Sequence, residues 1–233
     1  MLEISVYPPA FSEISGSPFT VKAICLLEQS GQPYKIKYLP DPRKSPKGKL
    51  PVLKDGSNII PDSDQIRDYL EQTYDVDYDA GLSAEQRGQS RSIIRMIEEH
   101  LYFVILASRW QKDAHWGTLS EEFFGKMPLL LRKIVPNMIR KDVIKSLMGQ
   151  GMGRHSEVEQ LVRAKKDIAA IETILGDQKF LFGNKPTAAD FSTVPMLRAL
   201  TSFPLESPLS KLVTSHPKLA SYIERGKKEF YPK

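Results

Sequence analysis

Apolar residues in this chain follow strand-like alternation in roughly the first third and helical spacing after it. Ile4-Ser5-Val6-Tyr7 alternates and predicts a short strand, which Pro8-Pro9 ends. Ser17 then opens a predicted helix with Pro18 at its first position, where a missing N–H costs nothing. Val21, Ile24, Cys25 and Leu27 line one face of that helix, and Gly31 closes it. Tyr34 to Leu39 alternates again. After a Pro/Lys/Gly loop, Pro51-Val52-Leu53 and Asn58-Ile59-Ile60 flank Asp55-Gly56 and predict a β-hairpin. Asp62 or Ser63 caps a helix running to about Tyr74. The predicted order is β-α-β followed by β-β-α.

The acidic stretch Asp75 to Leu82, with Gly81, reads as a linker, and no strand pattern follows it. Ser83 with Gln86 forms a capping box for a helix expected to reach about Trp116, its stripe built from Ile93, Ile97, Leu101 and Val104 or Ile105. Pro128 and Pro136 are expected to break the next segment into short helices. Ser156 with Glu159 caps a helix whose stripe is read as Val158, Leu161, Ile168, Ile171 and Leu175. Thr187 with Asp190 caps another that ends near Phe203-Pro204, and a last helix covers about Pro217 to Lys228. The expected division is 1–75, a linker 76–83, and an all-helical domain 84–233, an α+β chain overall.

Composition narrows the function. With 41% hydrophobic and 26% charged residues, the chain has the profile of a globular protein. Met1-Leu2-Glu3 lacks the features of a signal peptide, and the single Cys25 fits a reducing compartment, so a cytoplasmic location is expected. The net charge of +5 is uneven. Between Lys126 and Arg154 seven basic residues face Asp142 alone, interleaved with Leu130, Ile134, Met138, Ile139 and Leu147. That segment reads as a solvated helical face, or as a surface that meets anionic substrates, a membrane or an acidic protein partner. No aromatic residues alternate with its charges, which argues against nucleic acid. The four histidines lack metal-ligand spacing and no phosphate-binding glycine motif occurs, so neither metal nor nucleotide is expected.

Three stretches carry a family resemblance: Ser17-Pro18-Phe19-Thr20-Val21-Lys22, then Gly48-Lys49-Leu50-Pro51-Val52-Leu53 with Asp62-Ser63-Asp64-Gln65-Ile66, then Gly183-Asn184-Lys185-Pro186-Thr187-Ala188-Ala189-Asp190-Phe191. In this order they resemble the glutathione transferase superfamily. Met96-Ile97-Glu98-Glu99-His100-Leu101-Tyr102, Ser108-Arg109-Trp110 and Gly151-Met152-Gly153-Arg154-His155-Ser156 resemble its failed-axon-connections and metaxin-like branch. The resemblance implies a thioredoxin-like N-terminal domain, glutathione as co-substrate, a small electrophilic second substrate, and the family's habit of forming homodimers; its metaxin-like side implies, as the alternative, a non-catalytic adaptor or binding protein that docks through the basic helical segment.

It also implies roles for particular residues. Pro51 would follow a cis bond, turning the Leu50 backbone toward the cysteinyl part of glutathione. Asp62 and Ser63 would hold the γ-glutamyl group, and Lys49 would lie near the glycine carboxylate. Ser17 would hydrogen-bond the sulfur, with Tyr7 as the alternative activator. His100, Arg109, Trp110, Arg154 and His155 would border the second-substrate pocket. Each position also has a plain reading. Ser17, Asp62 and Ser63 are good helix caps, Thr187 and Asp190 form a stabilising capping box, and Cys25 is a core residue.

Overall fold

A computed structural model describes residues 1–232. Strands β1 (Leu2–Val6), β2 (Tyr34–Tyr38), β3 (Val52–Asp55) and β4 (Asn58–Pro61) form one sheet in the order β2-β1-β3-β4. β1 and β2 run parallel, joined through helix α1 (Pro18–Ser30), while β3 is antiparallel to both β1 and β4. Asp55 pairs with Asn58, so the hairpin turns at Gly56-Ser57 rather than at Asp55-Gly56. Gly56 has φ 57°, the left-handed conformation such a tight turn requires. The Leu50–Pro51 peptide is cis. Helix α2 (Ser63–Tyr74) starts directly after β4.

Helix α1 is buried from Thr20 through Leu27 because it lies between the sheet and the helical body, packed on the helix Ala188–Thr201. Cys25 is fully buried, as its place beside Ile24 implied. The linker is tied down. Tyr78 is buried and donates to the Leu26 carbonyl (2.7 Å), and Asp79 accepts from Arg67 on α2 (2.8 Å), Ser90 (3.1 Å) and the Ala188 amide (3.2 Å).

Helix α3 (Ala84–Met96) opens with the expected Ser83/Gln86 capping box. It runs through a π-helical turn, Ile97–Leu101, into α4 (Tyr102–Trp110). The continuous helix therefore ends at Trp110, not at Trp116. Gln111 and Lys112 break it, and Trp116 belongs to α5 (Asp113–Phe124). α6 (Leu129–Arg132) is short, but α7 (Val135–Gln150) runs 16 residues, because Pro136 falls in its first turn, where no amide partner is lost.

α8 (Glu157–Leu175) carries the Ser156/Glu159 box. Val158, expected in its apolar stripe, is 73% exposed. The inward face is Gln160, Ala164, Ile168, Ile171 and Leu175. α9 (Ala188–Thr201) is the central helix and is nearly all buried. The buried Asp190 carboxylate accepts from the amides of Leu181 (3.0 Å) and Thr187 (2.8 Å) and from the Thr187 (2.9 Å) and Tyr222 (2.7 Å) hydroxyls. α10 (Pro208–Thr214), absent from the sequence expectation, precedes α11 (Pro217–Phe230). No helix among the described residues is long and apolar enough to cross a membrane.

Candidate functional site

Two helix N-termini next to the sheet carry the expected ligand-binding groups. At the start of α1, Ser17 is extended (φ −133°, ψ 131°), and its carbonyl accepts from the amides of Thr20 and Val21 (both 3.1 Å) and the Thr20 hydroxyl (2.7 Å). Its own hydroxyl makes no capping bond, and it is half-buried. Ser17 therefore occupies the cap position without using its side chain as a cap. The neighbouring loop is held by Ser15, whose hydroxyl donates to the Tyr7 carbonyl (2.7 Å) and contacts the Thr20 hydroxyl (2.6 Å).

At the start of α2, Asp62 has φ 80°, a region an aspartate rarely occupies. Its Oδ1 accepts from the Asp64 amide (2.9 Å), which is the capping reading in full. Its amide donates to the Pro51 carbonyl (3.1 Å), joining the cis-proline turn to the helix start. Ser63 is 4% exposed, and its hydroxyl has no hydrogen bond among the described residues. First-turn amides not used inside the helix and a free hydroxyl make an N-terminus suited to a carboxylate. Leu50 turns its side chain inward, at 6% exposure. Lys49 is exposed, with no side-chain partner among the described residues. Lys47, which the sequence reading did not single out, lies 3.2 Å from the Gln65 amide oxygen when that amide donates to the Pro61 carbonyl.

The α2 start is anchored from behind. Asp64 bonds Lys22 (2.8 Å), Arg91 (2.8 Å) and Arg95 (2.6 Å). Burial opposes ionisation of Asp64, but the cations outweigh it and bring its pKa down to about 2. Lys22, 2% exposed, also bonds Glu98 (2.6 Å) in the π-helical turn, and Glu98 accepts from Ser192 on α9 (2.8 Å) and Arg95 (2.8 Å).

Aromatic side chains and one buried guanidinium lie where the first turn of α1 meets the helical body. Phe19 stacks edge-on with Tyr102 at 4.7 Å. Burial raises both Tyr7, with help from Asp41, and Tyr102, with help from Tyr7, to about 12, so each stays a neutral donor. Arg109 lies over the rings of Phe11 (5.2 Å) and Phe203 (5.1 Å) and donates to the Ala199 carbonyl. It has no carboxylate partner among the described residues, and burial lowers its pKa to about 10. Arg109 lines a small cavity with Ala10, Gly16, Pro18, Val21 and Pro195, between the sheet domain and the helices.

The other expected pocket residues have partners elsewhere. His100 Nδ1 is 2.6 Å from Asp167 on α8. Trp110 packs on Trp116 (5.6 Å) and Phe123 (6.5 Å). Arg154 donates to the Met148 carbonyl (2.9 Å), and His155 faces Glu159 at 3.9 Å. Phe11, Phe19, Tyr102 and Phe203 were not singled out from the sequence. Each sits at ordinary core spacing, and only folding brings Phe11 to the wall of that cavity, Phe203 to a neighbouring cavity that Arg109 also lines, and Phe19 against Tyr102. Among the described residues no group of three or more metal-ligating side chains converges.

A β-α-β/β-β-α domain with a cis proline before its third strand, joined to an all-helical body, is the glutathione transferase fold. The chain belongs to the glutathione S-transferase family. Residues 18–115 match the Glutathione S-transferase N-terminal domain and residues 164–226 the Glutathione S-transferase C-terminal domain. It is 32% identical over 245 aligned positions to an isoprene-epoxide–glutathione S-transferase of Rhodococcus sp. (strain AD45), covering 99% of each chain. It is 28% identical to Failed axon connections of Drosophila melanogaster, over 81% of this chain and 48% of that protein. Mouse metaxin-1 is 27% identical over 69% of this chain and 53% of its own length. Among solved structures, the β-etherase LigF of Sphingobium sp. strain SYK-6 superposes with a TM-score of 0.65 at 18% identity, covering 97% and 94% of the two chains. Human glutathione-S-transferase T1-1 gives 0.64 at 16%, covering 99% and 84%.

Proposed function

We propose that this protein binds glutathione across the N-termini of α1 and α2 and joins its sulfur to a small electrophile, with epoxides as the substrate class. The unspent Ser17 hydroxyl carries this reading: a serine in a cap position whose side chain caps nothing is available to a ligand. Bound glutathione supplies a thiol whose sulfur bonds to an epoxide carbon as the carbon–oxygen bond opens and the oxygen takes up a proton. Ser17 donates to the sulfur, favours the thiolate, and lowers a thiol pKa that starts near ~8.5. Ser63 and the first turn of α2 receive a carboxylate, with Asp62 beside it for an ammonium group. Arg109, in its poorly solvated site, faces the negative charge that grows on the opening oxygen. The similarity to an isoprene-epoxide transferase along nearly the whole of both chains supports the epoxide assignment.

Retention on immobilised glutathione and initial rates with a small aliphatic epoxide test the proposal. Ser17→Ala is expected to lower kcat/KM about a hundredfold, the loss typical of one donor at a developing charge, with retention unchanged. Ser17→Ala at full rate sinks the assignment to Ser17. The metaxin-1 relatives favour a second reading, a binding protein without turnover, and retention with no conjugation in the unaltered chain would select it.

A further inference from the structure

Helices α6 and α7 present a surface that the site does not use. Leu129, Leu130 and Leu131 are 76%, 81% and 49% exposed, and Ile134 and Met138 are 61% and 60% exposed. α7 explains the pattern. Its inner face, Ile139, Val143 and Leu147, packs on the core, while Ile134, Met138, Lys141, Lys145 and Met148 recur at helical spacing on the outer face. Lys126, Lys133, Lys141 and Lys145 rim these apolar residues, exposed and without ion pairs among the described residues. Asp142 is the sole acidic residue from 126 to 154.

Arg140, expected from the sequence to belong to this basic face, serves the fold instead. It donates to the Trp110 (2.8 Å) and Gln111 (3.0 Å) carbonyls and to Asp113 (2.7 Å), and lies 5.0 Å over Trp116. Arg132 is paired with Glu121. The free positive charge therefore sits on lysines around the apolar tip.

We propose that the α6–α7 surface docks onto an anionic lipid bilayer, with Leu129, Leu130, Ile134 and Met138 entering the headgroup region and the four lysines meeting acidic headgroups. Adjacent exposed apolar side chains ringed by lysines are the chemistry of an interfacial segment. Charge complementarity selects this occupant over a second copy of the chain. A two-fold contact through this patch would set one lysine rim against another, and like charges brought together repel. The inference does not depend on the glutathione reading, because the patch shares no residue with that site.

Co-sedimentation of the full chain with phosphatidylcholine vesicles, and with phosphatidylcholine mixed with phosphatidylserine, tests it. Binding is expected only with phosphatidylserine, weakening as salt rises. Lys133→Glu with Lys141→Glu, and separately Leu130→Ser with Ile134→Ser, are each expected to weaken it about tenfold or more. All four side chains are exposed, so both variants should keep the native circular dichroism and melting temperature. Equal binding to both vesicle types, or binding that survives both variants, overturns the proposal. So does light scattering that shows a dimer broken by Leu130→Ser with Ile134→Ser, since the patch would then be covered by a second copy.

Discussion

At Ser17 the plain and the functional readings of one residue separate. Both predict serine before Pro18, and only the side-chain geometry distinguishes them: the main chain caps and the hydroxyl does not. Asp62 shows the reverse: one carboxylate oxygen, Oδ1, is committed to capping through the Asp64 amide, and Oδ2 is left for a ligand. Arg109 is the other informative residue. A guanidinium set over two phenyl rings, with no carboxylate partner among the described residues, retains its charge at neutral pH, since a pKa of about 10 still lies well above 7. Replacing it with Met keeps much of the apolar packing and removes the charge. Arg109→Met is expected to lower kcat/KM for an epoxide by about a hundredfold while leaving retention on glutathione intact. Steady-state rates beside resin binding read the two apart. Tyr7, held neutral to about pH 12, cannot act as a phenolate base at physiological pH.

Among the elements, the α2 N-terminus depends most on distant partners. Asp64, held near a pKa of about 2, loses its charge only in strong acid. Its depressed pKa adds stability above the unfolded value near ~3.9, and that contribution disappears as pH falls through about 2. The shift corresponds to about 2 kcal/mol. Thermal melts should therefore be level from neutral pH to about pH 5 and fall below it. Asp64→Asn should melt lower at pH 7 and lose less on acidification than the unaltered protein. A variant with the same acid slope as the parent would show that other carboxylates govern the transition. Element boundaries were legible where capping chemistry is local, as at Ser83/Gln86 and Ser156/Glu159. They were misread where tertiary packing decides: the end of α4 at Trp110, the length of α7, and the exposed Val158.

For the whole molecule, the buried Lys22–Glu98–Ser192 chain joins α1 of the sheet domain to the π-helical turn and to α9 of the helical body. Tyr78 and Asp79 add a second tie across the linker. Two bodies joined by buried charge and packing are expected to unfold together, in one calorimetric transition. Glu98→Ala leaves Lys22 buried with only Asp64 and should cost about 3 kcal/mol or more. Two separate transitions in the unaltered protein would mean that the interface contributes little. The fold was legible from the sequence because alternation, helical spacing, caps and the Leu50–Pro51 and Asp62–Ser63 stretches are local signals written in adjacent residues. Which of five proposed pocket residues lines the cavity, which lysines of the basic segment stand free, and which carboxylate pins α2 were decided by the tertiary structure alone. Those outcomes depend on contacts between residues far apart in the chain, such as Lys22 with Glu98 and Arg109 with Ala199, and local spacing holds no information about them.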